Sequence, residues 1–126
     1  MSYWKMHCEV DEMVGQIFTS VTSCGETVTF ENADVRYVLY HEQDCCESVY
    51  VEDICGELSD LEGLPLLVAT EDTNASEPET QPQSDDSYTW TFYKFATFKG
   101  YEDIRFFGSS NGYYSESVYC RKEKLR

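Results

Sequence analysis

His41, Cys45, Cys46 and Cys55 fall within fifteen positions, and Cys24 is close enough in the chain to fold beside them. Histidine with cysteine is a donor set that holds zinc, but zinc ligands usually come as Cys-x2-4-Cys pairs, and adjacent Cys45 and Cys46 in a strand would face opposite ways. Packed thiols are therefore the reading, and no metal or other cofactor is expected. A nucleophilic cysteine would need an imidazole beside it, and nothing near His7 or His41, the two histidines of the chain, marks such a site. Acid pairs such as Glu52/Asp53 and Asp85/Asp86 carry little information in a chain with 24 Asp and Glu residues. Acid–base catalysis needs two carboxyls at a set separation in a cleft. With no Gly-rich phosphate loop and no Ser-His-Asp context, the chain reads as a binding protein, not an enzyme.

The residues best suited to binding are concentrated in Tyr88-Thr-Trp-Thr-Phe-Tyr93 and in Ile104-Arg-Phe-Phe-Gly-Ser-Ser-Asn-Gly-Tyr-Tyr-Ser-Glu116. Strand alternation puts Trp90 and Phe92 on one face and Thr89, Thr91, Tyr93 and Phe95 on the other, so one set can build a core while the other presents rings. Arg105 and Lys94 are rare cations in an acidic body. An arginine beside aromatic planes can hold a phosphate and stack a base. The candidate ligand site is therefore Trp90, Phe92, Tyr93, Tyr113 and Tyr114 for stacking, Asn111 and Ser115 for polar edges, and Arg105 for phosphate. The alternative is an aromatic sheet core with Arg105 paired to a carboxylate.

These residues sit in a chain of 126 residues with a formal net charge of -15 and 15% aromatic content. That length suits a single domain, and the aromatic content favours strands over helices. Four of the nine bases lie at 121–126, which reads as a basic tail and leaves 23 acids against five bases in residues 1–120. Such a field repels nucleic acid and anionic membrane and favours basic partners. No run is apolar enough to span a bilayer, and the start, MSYWKMHCEVDE, lacks the basic and apolar regions of a signal peptide. A cytoplasmic location follows as the expectation, with all six cysteines as thiols.

The elements that must position the candidate site read as mainly β: an antiparallel sheet of hairpins with a C-terminal three-stranded meander. Residues 16–21 look strand-like. The segments 26–30 and 35–40 alternate around Glu31-Asn32-Ala33-Asp34 as a hairpin, and 48–52 suits a further strand. A short helical turn is expected before Pro65, then an apolar strand over 64–70. Residues 71–87 are acidic and lack Phe, Tyr, Trp, Val, Ile and Leu, which predicts a mobile loop. The meander is expected over 88–120, turned at Lys99-Gly100 and at Asn111-Gly112. Residues 1–14 fit neither helical nor strand period.

Asp44-Cys45-Cys46-Glu47, Glu52-Asp53-Ile54 with Gly-x-x-x-Asp-Leu at 56–61, YTWTFY at 88–93, Lys99-Gly100 and SNGYYSESV at 110–118 occur in order. Over residues 15–118 this pattern resembles a family of small bacteriophage and prophage proteins of unknown function, departing where Phe106 stands in place of an expected Trp. The resemblance implies an accessory protein of the host cytoplasm during infection and supplies no catalytic residues. It suggests a non-enzymatic anti-defence sponge that sequesters a nucleotide-derived host immune signal, with a homo-oligomer as one way to complete the pocket. The alternative is an acidic inhibitor or DNA mimic that blocks a basic host defence protein. A hydrolase acting on such a nucleotide is a third reading.

Overall fold

In the computed structural model, residues 5–43, 46–74, 87–110 and 115–125 are described. Nine strands follow in chain order: β1 (Lys5–His7), β2 (Ser20–Ser23), β3 (Val28–Glu31), β4 (Val35–Tyr40), β5 (Ser48–Cys55), β6 (Val68–Asn74), β7 (Ser87–Thr97), β8 (Gly100–Ser110) and β9 (Tyr119–Lys124). They form a five-stranded sheet in the order β1-β9-β4-β3-β2 and a four-stranded sheet in the order β5-β8-β7-β6. Every pairing is antiparallel. The mainly β, antiparallel class read from the sequence is the class observed.

The β3–β4 hairpin forms where alternation and turn chemistry agree. Val28, Phe30, Val35, Tyr37 and Leu39 are buried. Asn32 closes the turn with its side-chain oxygen, which accepts the N–H groups of Asp34 at 2.9 Å and Val35 at 3.0 Å. The longest hairpin is β7–β8, with eleven residues in each strand. Its inner positions Tyr93, Phe95, Ile104 and Phe106 are buried. Phe30 of one sheet meets Phe95 of the other at 4.7 Å between ring centroids, and Phe18 sits edge-on to Phe30 and Tyr37. This core therefore joins the two sheets face to face, and each large apolar side chain taken out of water adds about 1.5–3 kcal/mol. Short 3-10 turns at Val10–Met13 and Leu58–Leu61 bury Met13 and Leu61 within the same core.

Several expected boundaries shift. A three-stranded meander exists, but it is β6, β7 and β8. The segment expected to add a third strand after β8 instead leads to β9, which joins the other sheet between β1 and β4. The basic tail is therefore largely this strand. Its charge hid the strand: Cys120 is buried on the face that carries Leu39 and Tyr37, Glu123 is buried on the opposite face under Arg36 and Arg121, and Arg121 lies over the Tyr40 ring at 4.7 Å and Lys122 over the Tyr37 ring at 5.8 Å. The acidic loop expected over 71–87 loses both ends to strands. Glu71–Asn74 pair with Trp90–Tyr93 along β7, because backbone pairing overrides the low strand propensity of these polar residues. Residues 75–86 of that loop lie outside the described residues. The strand expected from residue 16 begins at Ser20, preceded by a single bridge from Ile17 to Pro65.

Candidate functional site

The outer face of the four-stranded sheet carries the aromatic and charged residues singled out from the sequence. The β7–β8 register sets Trp90 against Phe107, Phe92 against Arg105 and Lys94 against Asp103. Tyr50 of β5 extends the row beyond Phe107. Phe107 is its centre, 4.5 Å from Trp90, 5.9 Å from Tyr88 and 6.1 Å from Tyr50 between ring centroids. Such ring pairs add about 0.5–1.5 kcal/mol beyond burial and stiffen the face.

Arg105 occupies the middle of this surface and is already engaged. Its guanidinium lies 5.2 Å from the Trp90 ring centroid. It donates through Nη2 to both carboxylate oxygens of Glu52, at 2.7 and 2.8 Å, and through Nε to Glu52 at 3.1 Å. Asp53 stands 3.8 Å from the same Nη2. A β-bulge between Val51 and Asp53 turns these two consecutive acids towards one arginine. Hydrogen bonding to Glu52 pushes the Arg105 guanidinium further above its ordinary value against the effect of burial. The alternative reading of Arg105, paired to a carboxylate beside an aromatic plane, is thus the observed one.

Beside this pair, Phe92, Lys94, Asp53, Asp72, Asp103 and Thr70 help to line an open groove of about 480 Å³. Phe92 is 38% exposed. Lys94 is only loosely paired with Asp103, at 3.9 Å, and also lies 5.3 Å from the Tyr101 ring centroid. Among the described residues, no cation lies within ion-pair reach of Asp72. The groove thus combines an exposed ring with carboxylates, an arrangement suited to ammonium or guanidinium groups.

Trp90, Phe92 and Arg105 are brought together as expected, but Tyr93 is not with them. It faces the core, is 1% exposed and donates its hydroxyl to Glu71 at 2.6 Å. Burial first, and that hydrogen bond second, push its phenol far above the ordinary range. Ser115 lies on the approach to β9, where its hydroxyl is 3.2 Å from that of Tyr119. Asn111, Tyr113 and Tyr114 lie outside the described residues. Among the described residues, no three histidine, cysteine, aspartate or glutamate side chains form a group that could hold a metal ion. Cys24 and Cys55 are exposed free thiols, Cys46 is disulfide-bonded, contrary to the expectation of six thiols, and Cys45 is outside the described residues.

Sequence reasoning missed a buried polar network that uses two of the motifs. The Glu116 carboxylate accepts the hydroxyl of Thr89 at 2.7 Å and that of Ser110 at 2.5 Å. Gly108 admits this segment, since a Cβ there would stand 2.9 Å from Glu116 Cβ. Glu47 meets His41 Nε2 at 2.7 Å, and His41 Nδ1 donates to the Ser117 carbonyl at 2.7 Å. Gln43 donates to the Glu47 carbonyl at 2.7 Å. The one available signal was the presence of Glu47 and Glu116 inside the short motifs DCCE and SNGYYSESV.

The fold and face together define an antiparallel two-sheet protein with an aromatic, carboxylate-flanked outer surface. A family model described as a domain of unknown function (DUF7448) matches residues 9–120, and the chain belongs to that family. No curated protein and no solved structure matches it. Among the described residues, no helix is long and apolar enough to cross a membrane.

Proposed function

We propose that this protein works by binding, and that the outer face of the β5-β8-β7-β6 sheet receives a basic segment of a partner protein. The observation that carries this reading is the Glu52 fork on Arg105. With that guanidinium engaged, the groove offers the Phe92 ring among Asp53, Asp72 and Asp103. A lysine or arginine of the partner would pair with Asp72 and lie against Phe92. The net charge of -15 would speed the encounter and make it sensitive to salt. In the phage setting that the sequence resemblance implies, the corresponding partner is a basic host defence protein, blocked by contact.

Sequestration of a nucleotide signal requires a different state of the same residues. A phosphate would have to displace Glu52 from Arg105 and tolerate Asp53 3.8 Å from the guanidinium nitrogen. Within one chain, like-charge repulsion and the lost fork weigh against it. Calorimetry decides between the readings. A lysine- and arginine-rich peptide is expected to bind and to weaken as salt rises, while cyclic dinucleotides and ADP-ribose derivatives give no heat. Nucleotide binding that disappears in Arg105→Ala, with no binding of the peptide, would overturn the proposal.

A further inference from the structure

Cys8 and Cys120 face each other where β1 runs out beside β9. The register that sets Met6 against Lys122 and His7 against Arg121 brings Cys8 opposite Cys120, and the Cys8 N–H donates to the Cys120 carbonyl at 3.1 Å. Hydrogen-bonded opposite residues in antiparallel strands have Cα atoms about 5.5 Å apart, inside the span of about 4.4–6.8 Å that a disulfide bridges. The two sulfur atoms are 2.9 Å apart and share a hydrogen bond.

The pair is asymmetric in access and in chemistry. Cys120 is buried, whereas Cys8 is only partly buried. Both border a groove of about 280 Å³ that also includes His7, Glu9, Glu12 and Glu71. The hydrogen bond with Cys120 holds the Cys8 thiol below its ordinary value, although burial and Glu12 oppose it. The same hydrogen bond, with burial, pushes the Cys120 thiol well up. Cys8 is therefore the thiol placed to attack, and Cys120 the one placed to keep its proton until a second step.

We propose that Cys8 and Cys120 form a reversible dithiol–disulfide site that reacts with small disulfides of the glutathione type. Cys8 Sγ attacks one sulfur of the small disulfide. That S–S bond breaks, one thiol leaves with the proton lost by Cys8, and Cys8 holds a mixed disulfide. Cys120 Sγ then attacks the Cys8 sulfur, and the second thiol leaves with the proton lost by Cys120. Two protein thiols are oxidised to one disulfide while the small disulfide is reduced to two thiols, and no other oxidant is used. The product staples the edge strand β1 to β9 just before the turn at Val10–Met13, and excess small thiol reverses it.

Exposing the full chain to oxidised glutathione, then alkylating, digesting and weighing the peptides tests this directly. The expected result is a Cys8–Cys120 cross-linked peptide without glutathione, removed by reductant. Cys24 and Cys55, exposed and without such a neighbour among the described residues, end as alkylated thiols or as glutathione adducts, and Cys46 is followed on its own peptide. In Cys120→Ser a glutathione adduct should persist on Cys8, and in Cys8→Ser the reaction of Cys120 should slow by about tenfold or more. The proposal is overturned if the parent chain returns both residues as alkylated thiols while Cys24 or Cys55 carries adducts. It is equally overturned if Cys8 keeps its adduct with Cys120 intact. The parent-chain result decides the matter even where a variant folds poorly.

Discussion

Glu47 and Glu116 lie inside the protein, with their oxygens committed to His41, Thr89 and Ser110, whereas Asp53, Asp72 and Asp103 line an open groove on the outer face. All five contribute equally to the net charge, yet they do different work. The buried pair fixes residues 115–117 ahead of β9 and the approach to β5, because an acid removed from water persists only when hydrogen bonds replace the water it lost. The groove acids keep their solvation and remain available to a partner. Total charge therefore says little about where an acidic protein binds; the set of acids that stay exposed and only loosely paired says more.

The largest effect that could break this comparison is expected at Glu116. Glu116→Ala removes the acceptor for the hydroxyls of buried Ser110 and half-buried Thr89 and should cost about 2–4 kcal/mol in urea denaturation. A loss under about 1 kcal/mol would mean that the buried acids are not structural. Gly108→Ala attacks the same contact from the other side, since its Cβ would meet both Glu116 Cβ and the Glu116 carbonyl at about 3 Å, and should cost about 1–3 kcal/mol.

A smaller effect, with a sign that depends on pH, is expected at Glu102. It is 1% exposed, packs under Gly56, and has one oxygen without a partner among the described residues. Burial, then the charge of Asp60, raise its carboxyl above the ordinary value. The folded chain therefore holds this proton to higher pH than the unfolded chain does. The resulting stability is full below the ordinary Glu range near about pH 4.3 and declines as pH rises through it towards the raised value. Glu102→Gln should remove that decline and raise stability at pH 7, read from denaturation midpoints across pH. Glu123 behaves in the opposite sense. Burial pushes its carboxyl up, but hydrogen bonds from Arg121 and Arg36 outweigh this and hold it below the ordinary value, so its contribution is lost as pH falls.

The smallest stability change is expected on the outer face. Arg105→Ala breaks a half-exposed ion pair and its contact with Trp90, and should cost no more than about 1 kcal/mol.

Much of the fold was legible in the sequence because it rests on local pattern. Alternation and Asn32 specify the β3–β4 hairpin, and alternation over 88–98 correctly separates Trp90 and Phe92 from Tyr93 and Phe95. The same pattern left open which of the two sets faces the core, and the expected ligand site drew on both, so Tyr93, buried in the structure, was counted with Trp90 and Phe92. What sequence could not supply were partners far apart in the chain. Arg105 finds Glu52 through the β5–β8 pairing, and His41 finds the Ser117 carbonyl only once β9 has crossed to the other sheet. The destination of β9 was hidden by its charge. Arg121, Lys122 and Lys124 suggest a solvated tail, whereas pairing with β4 and with aromatic rings accounts for them in a strand.

The central claim, that the groove acids receive a basic segment, is best tested by two variants with the same change in net charge. Asp53→Asn with Asp72→Asn alters the groove, while Glu26→Gln with Glu42→Gln alters exposed acids outside its lining. Binding of a lysine- and arginine-rich peptide is measured by calorimetry at low and at physiological salt. The groove variant is expected to lose about tenfold or more in affinity, equivalent to about 1.4 kcal/mol, while the control stays within about twofold of the parent. Equal losses in the two variants would show that the peptide responds only to total charge, and would contradict a site on this face.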